Sequence, residues 1–312
     1  MMNGNGVGIK KKVMLALPRT LGDVLLGTTI CRELMRDDPG LEIHYFVDKP
    51  YAGLLANNPD IAEVRAPDVW NTDLLFMAMA DRSFDVVYAP YQARGECNMW
   101  HQREETRRQH LLDFYWARMG MHRRIEEREC YVYPSESDYA ASEQHITMDV
   151  PRVAIHSTSG VATKDWPYFT ELTEDLRKAG YAAVQVGARS DKKVDGAIDF
   201  RGKMGLLEVA AFISKCAAFV GLDSGLSYLA DAVKTPTIAI QGSTSPVTSG
   251  PISGRVVHLF AKETGYSDCQ EVRCHTNCRH EINCNTKIGV RDVMEALDPI
   301  LKNWEKPIPA GV

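Results

Sequence analysis

The 312-residue sequence has no apolar run near the roughly 18–20 residues that a membrane-crossing helix needs. It has no basic excess either: 36 Lys and Arg stand against 41 Asp and Glu, a formal charge of −5. A chain devoted to a nucleic-acid backbone would carry a basic face, so that class is excluded, although a local basic patch is not. It lacks the even cysteine framework of a small secreted domain. Cys31, Cys97, Cys130 and Cys216 are scattered, and four more crowd between Cys269 and Cys284 without paired Cys-x-x-Cys knuckles. No heptad or self-complementary pattern speaks for an oligomer. The opening Met1-Met2-Asn3-Gly4-Asn5-Gly6 precedes a strand-like segment rather than a signal peptide's apolar stretch, so a cytoplasmic protein is expected.

What is present is alternation. Lys12 to Leu17 is a short apolar run suited to a buried parallel strand, broken by Pro18 to Gly22 before a helical stretch that runs to Met35. Strands are expected at 41–47, 61–64 and 84–88. The segment 92–128 differs, with arginines and histidines among Trp100, Tyr115 and Trp116 and a helical period in Leu111, Phe114, Tyr115 and Arg118. A polar helix begins near Pro134 and ends at Pro151, where the linker is placed. A second α/β unit follows: strands at 152–156, 182–187, 217–220 and 237–240, helices at 168–178, around 206–213 and at 227–232, and a terminal helix at 290–304. Two Rossmann-like domains are expected, 1–148 and 149–312, with 312 residues and 45% hydrophobic side chains able to fill two cores.

In such sheets ligands bind beyond the carboxyl ends of the strands, so the loops after each apolar run carry the information. After the first strand, Gly22 permits a turn and Asp23 stands at a helix start, either as a cap or as a general base. After residues 152–156 come Ser157, Thr158, Ser159 and Gly160, then Lys164 and Trp166-Pro167. Small residues there admit phosphate oxygens and a lysine supplies a point charge, unless this is only a polar loop ahead of a helix. After Val220, the turn Gly221-Leu222-Asp223-Ser224-Gly225 opens a helix whose N-terminus attracts anions. Ser224 could be a simple cap; the loop Gln241-Gly242-Ser243-Thr244-Ser245-Pro246 beside it favours a shared phosphate cradle.

The set Arg19-x-x-Gly22-Asp23 with Thr28-Thr29, Lys164-x-Trp166-Pro167, Gly202-Lys203-Met204-x-Leu206, Asp223-Ser224-Gly225 and Gly242 to Pro246 resembles the ADP-heptose:lipopolysaccharide heptosyltransferases, glycosyltransferase family nine. The resemblance covers nearly the whole chain in order. It implies a GT-B fold, two Rossmann-like domains facing across a cleft, with the acceptor on the first and the nucleotide sugar on the second. It further implies inverting transfer of a sugar, a heptose from an ADP-linked donor, to a hydroxyl of a lipopolysaccharide core or another glycan, with no catalytic metal. Asp23 then becomes the general base, and Lys164, Asp223, Ser224 and Gly225 hold the diphosphate. Ser159 and Gly160 fall at phosphate-contacting positions, Met204 at the adenine pocket and Asp191 near the ribose hydroxyls. The family's usual histidine is Tyr228 here, which brings an O–H donor and no imidazolium charge to the donor site.

Two clusters remain. Cys269, Cys274, Cys278 and Cys284 offer four thiolates, suited to structural zinc or, second, to iron; the alternative is a cysteine-rich loop without metal. Arg19, Arg103 and Arg107 are candidate contacts to an anionic acceptor, within a larger set including Arg94, Arg108, Arg118, Arg123 and Arg124, or else members of a solvated, ion-paired helix. His101 and His110 stay open between the same two roles. Alternatives to transfer are a nucleotide-sugar epimerase or hydrolase, and a metal-stabilised binding protein without activity. Nucleic acid is not an expected partner; peripheral membrane contact is compatible with the sequence.

Overall fold

A computed structural model describes residues 10–17, 20–68, 83–90, 109–145, 150–260 and 283–304. The chain divides into two compact units, Met1–Tyr133 and Pro134–Val312.

In the first unit, strands β1 (Lys11–Ala16), β2 (Leu41–Phe46), β3 (Glu63–Arg65) and β4 (Val86–Tyr88) form a parallel sheet in the order β3-β2-β1-β4. β1 is central, so its Val13, Met14, Leu15 and Ala16 are buried on both faces, which explains its unbroken apolar run. Helix α1 (Leu21–Asp37) follows β1 after a short loop. Its Gly27 is required by packing: a Cβ there would stand 1.9 Å from the hydroxyl of Tyr45, a fully buried side chain on β2. Helix α2 (Leu111–Arg118) buries Leu112, Tyr115 and Trp116.

In the second unit, β5 (Arg152–His156), β6 (Ala182–Gln185), β7 (Ile198–Asp199), β8 (Ala218–Leu222), β9 (Thr237–Gln241) and β10 (Val256–Phe260) form a parallel sheet ordered β10-β9-β8-β5-β6-β7. The order reverses between β8 and β5, the topological switch point where such sheets bind ligands. Helix α3 (Glu136–Glu143), held by a capping box of Ser135 and Asp138, packs on helix α4 (Leu206–Ser214). That packing puts the contact boundary before α3, whereas the sequence places the linker after it. The edge strands β7 and β10 were not anticipated: β7 is two residues long, and β10 is only half-buried, so neither gives the continuous apolar signal of a central strand. Trp166, Phe169 and Leu172 join Val293, Leu297 and Leu301 of the terminal helix (Val290–Lys302) in one core. Among the described residues no helix is long and apolar enough to cross a membrane.

Candidate functional site

In the first unit the candidate base sits in the first turn of α1. Thr20, not Asp23, is the N-cap. Asp23 is 6% exposed, and its carboxylate accepts hydrogen bonds from the Thr20 hydroxyl at 2.8 Å and the Tyr115 hydroxyl at 2.9 Å. The two donors and the helix N-terminus together offset the loss of water around a buried carboxylate. They also aim it, since hydroxyls from α1's cap and from α2 grip its two oxygens. Capping alone would not require the second contact.

The basic, aromatic-edged acceptor patch is corrected in part. Tyr115 and Trp116 are core residues, 1% and 3% exposed. Arg123 lies over the Trp116 ring and pairs with Glu33 at 2.6 Å and Asp37 at 2.8 Å, so it holds α1 rather than facing a ligand. His110 caps α2, its Nδ1 accepting the Leu112 N–H at 3.1 Å. Arg19, Arg103 and Arg107 lie outside the described residues, as do Cys269, Cys274 and Cys278.

In the second unit, four loops converge at the carboxyl ends of β5, β6, β8 and β9. Lys164 Nζ donates to Asp223 Oδ2 at 2.8 Å and approaches the Asp223 carbonyl at 3.4 Å. The Ser249 hydroxyl adds a hydrogen bond to Oδ2 at 3.1 Å. Burial disfavours the charged Asp223, yet the Lys164 charge and hydrogen bond, with the Thr244 and Ser249 hydroxyls, bring its carboxyl down to about 2. Asp223 is thus ionised at neutral pH. Its oxygens face a cation and hydroxyls rather than phosphate, which they would repel. It positions Lys164 and the neighbouring loop, and Lys164 stands beside the start of helix α5 (Gly225–Ala232), whose positive dipole end favours anions.

The Lys-x-Trp-Pro motif acquires a physical reason here. The Trp166 indole donates to the Ile288 carbonyl at 2.7 Å and the ring is 3% exposed, so it anchors the loop that carries Lys164. Thr163 ties the same loop to Ser243 at 3.0 Å.

Ser224 is the N-cap of α5, but its side chain makes no cap hydrogen bond. Its hydroxyl lies instead 3.0 Å from His156 Nδ1, and His156 Nε2 lies 3.3 Å from Asp191 Oδ2. Asp191 also accepts the Ala188 N–H at 2.7 Å. His156, the last residue of β5, was not singled out from the sequence. It joins residues from two loops, and its position at a strand's carboxyl end was the available signal.

Ser159 is occupied locally: its N–H and hydroxyl both donate to Asp165 Oδ1, at 3.0 and 2.9 Å. Gly160 next to it takes φ +76 with open space around the Cβ position. Met204 is half-buried just ahead of α4. The Tyr228 hydroxyl accepts the Gly250 N–H at 2.7 Å inside the fold. Among the described residues no three His, Cys, Asp or Glu side chains are grouped to hold a metal.

Comparison with known proteins matches residues 125–280 to the family described as glycosyltransferase family 9 (heptosyltransferase). The chain is 23% identical to lipopolysaccharide heptosyltransferase 1 of Pseudomonas aeruginosa, over 93% of this chain and 98% of that one. It is 34% identical to lipooligosaccharide heptosyltransferase 2 of Haemophilus influenzae over a shorter stretch, 32% of this chain and 34% of the relative. Among solved structures, the ADP-heptose lps heptosyltransferase II of E. coli superposes with TM-score 0.71 at 18% identity, covering 93% of this chain and 98% of that one. The iron-containing dodecameric glycosyltransferase TibC of enterotoxigenic E. coli superposes with TM-score 0.70 at 19% identity, covering 95% and 80%. The two parallel α/β units are those of the GT-B fold expected from the sequence.

Proposed function

Because the chain belongs to glycosyltransferase family 9, the heptosyltransferases, we propose that it transfers a heptose from ADP-heptose to a hydroxyl of a lipopolysaccharide-type acceptor, inverting the anomeric carbon. The observation that carries this reading is the pairing of Lys164 with Asp223 at the N-terminus of α5. A cation held in place beside the amides that open a helix is what a departing diphosphate needs, because negative charge grows on it as the glycosidic bond breaks. Asp23 takes the acceptor's proton as its oxygen attacks, the bond from the anomeric carbon to the diphosphate breaks on the opposite face, and ADP leaves. Ser224 and Gly225 contact the diphosphate, Asp191 reads the ribose and Met204 packs on the adenine. Enzymes of this chemistry work on activated sugars made inside the cell, which fits a cytoplasmic location.

The test is ligand-induced stabilisation. ADP is expected to raise the melting temperature more than UDP or GDP at equal concentration, since only a ligand of the folded state shifts the transition. A higher shift with UDP or GDP would contradict the ADP-linked donor while leaving the fold untouched.

We also propose that Cys269, Cys274, Cys278 and Cys284 hold one structural metal, zinc or iron. The donor set supports this: four thiolates within 16 residues match the ligation such ions take. Iron in the TibC relative lends support to the iron alternative. Bound there, the ion pins the loop and takes no part in transfer. Elemental analysis of the purified chain should find about one ion per chain by that ligand count, lost on Cys274→Ser together with Cys278→Ser. A metal-free chain of unchanged thermal stability would contradict it.

A further inference from the structure

The geometry points to His156 as a positioning residue: it sets the direction of the Ser224 hydroxyl, so that a nucleoside diphosphate binding on the α5 turn takes up one proton. This role rests on the donor reading above and on the order of three side chains, Asp191, His156 and Ser224. Asp191 is buried beside the ring, 13% exposed at its side chain, and faces Nε2. Burial works against its charge, but the hydrogen bond to His156, the Ala188 N–H and Arg201 together hold the Asp191 carboxyl below its ordinary value. A carboxylate facing Nε2 demands an N–H there, since an imidazole lone pair would oppose it. In the neutral ring that leaves Nδ1 as the acceptor. The Ser224 hydroxyl, 3.0 Å away, must then donate to Nδ1 and turns only lone pairs outward. Lone pairs repel phosphate oxygens.

Protonating Nδ1 reverses the contact. The ring donates to Ser224 Oγ, and the hydroxyl hydrogen is released to a phosphate oxygen. The diphosphate thereby gains one hydrogen bond and a nearby positive charge, and the proton comes from solvent. No covalent bond changes.

The surroundings suit such a switch. Besides the contact of its side chain with His156 Nε2, Asp191 accepts at its carbonyl from Arg201, which is itself held by Asp199 through hydrogen bonds of 2.9 Å, so the Arg201 charge is largely answered. On the β8 side Lys164 is answered by Asp223. Gly187 leaves the ring its place, because a Cβ there would lie 3.0 Å from His156 Cδ2 and 2.2 Å from Asp191 Oδ2. Serine at 224 is what makes the device work, since its single hydroxyl can serve either the ring or the ligand.

Calorimetric titration with ADP-heptose, without acceptor, in buffers of different ionisation enthalpy tests this. The diphosphate of ADP-heptose is diesterified and titrates far below neutral pH, so any linked proton belongs to the protein. The expected result is uptake approaching one proton per donor bound at the alkaline end of the pH range, with affinity falling by up to about tenfold per pH unit there. His156→Gln should abolish the uptake and flatten the pH profile, and Ser224→Ala should reduce both, with weaker binding at the acid end. Ser224→Ala removes only one oxygen and keeps the test decisive where the histidine variant folds poorly. Donor binding without proton uptake, uptake that persists in His156→Gln, or uptake undiminished in Ser224→Ala overturns the role of His156 and leaves the donor reading standing. Absence of donor binding to the folded wild type would overturn the donor reading itself, and this inference with it.

Discussion

Asp23→Asn is expected to lower kcat by about 10²–10⁴-fold, the range a general base contributes, while ADP still stabilises the protein as it does the wild type. The amide keeps the shape of the carboxylate and removes its basicity. Thr20 and Tyr115 both donate to Asp23, and their hydroxyls can rotate, so the fold should tolerate the change. The donor turn lies on the second unit and the base on the first, which is why nucleotide binding should be spared. Steady-state kinetics with both substrates saturating read the effect. A variant with full kcat and raised KM would reassign Asp23 to acceptor binding. Tyr115→Phe should give a smaller loss, because it removes one hydrogen bond to the carboxylate without removing the base.

Lys164→Met has the second large effect, and it is felt twice. The ammonium leaves a carboxylate that is 4% exposed at its side chain without its cation. Breaking one side of a buried pair costs about 3–5 kcal/mol, and the lower end applies because Lys164 is 17% exposed and water can reach the gap. ADP should also lose most of its stabilising effect. The pH dependence has a definite sign. Asp223 is lowered from 3.8 to about 2, so the stability it contributes is complete above its unfolded value and is lost as pH falls through about 2. The stability gap between wild type and Lys164→Met should therefore narrow between about pH 4 and about pH 2. Denaturant unfolding at several pH values measures it, and a gap that stays constant into acid would mean the pair is not the cause. Adding Asp223→Asn to Lys164→Met should recover part of the lost stability, since the orphaned charge is then gone.

How much of this was visible in the sequence depends on how local the cause is. Central strands were legible because burial on both faces leaves a continuous apolar run, as in Val13 to Ala16 and Ala218 to Leu222. The loops after them were legible because glycine, serine and lysine at a strand end are rarely needed for packing. The edge strands of the second sheet were not, because β10 is half-buried along most of its length and β7 has two residues. Helix caps shifted for a related reason: Thr20 and Asp23 both suit a cap, and only the Tyr115 contact, 92 residues away in sequence, separates their roles. His156 escaped assignment because its partners Ser224 and Asp191 are 68 and 35 residues distant, and no spacing rule connects a strand end to two other loops. The carboxylate of Asp223 shows the same limit. Its motif was read as a diphosphate contact, but its oxygens turn towards Lys164 and Ser249. Tyr228 stands where the family resemblance expects a histidine; in the fold its hydroxyl receives the Gly250 N–H and so braces the loop after β9.

The most direct measurement is a transfer assay with ADP-heptose and a lipopolysaccharide truncated at the inner core, following acceptor mass and the anomeric configuration of the product. The expected result is an acceptor heavier by one heptose, release of one ADP per transfer, inverted configuration, and a rate unaffected by a chelator of divalent cations. Release of ADP with free heptose and no heavier acceptor, or a product with retained configuration, would contradict single displacement from the Lys164 and Asp223 site.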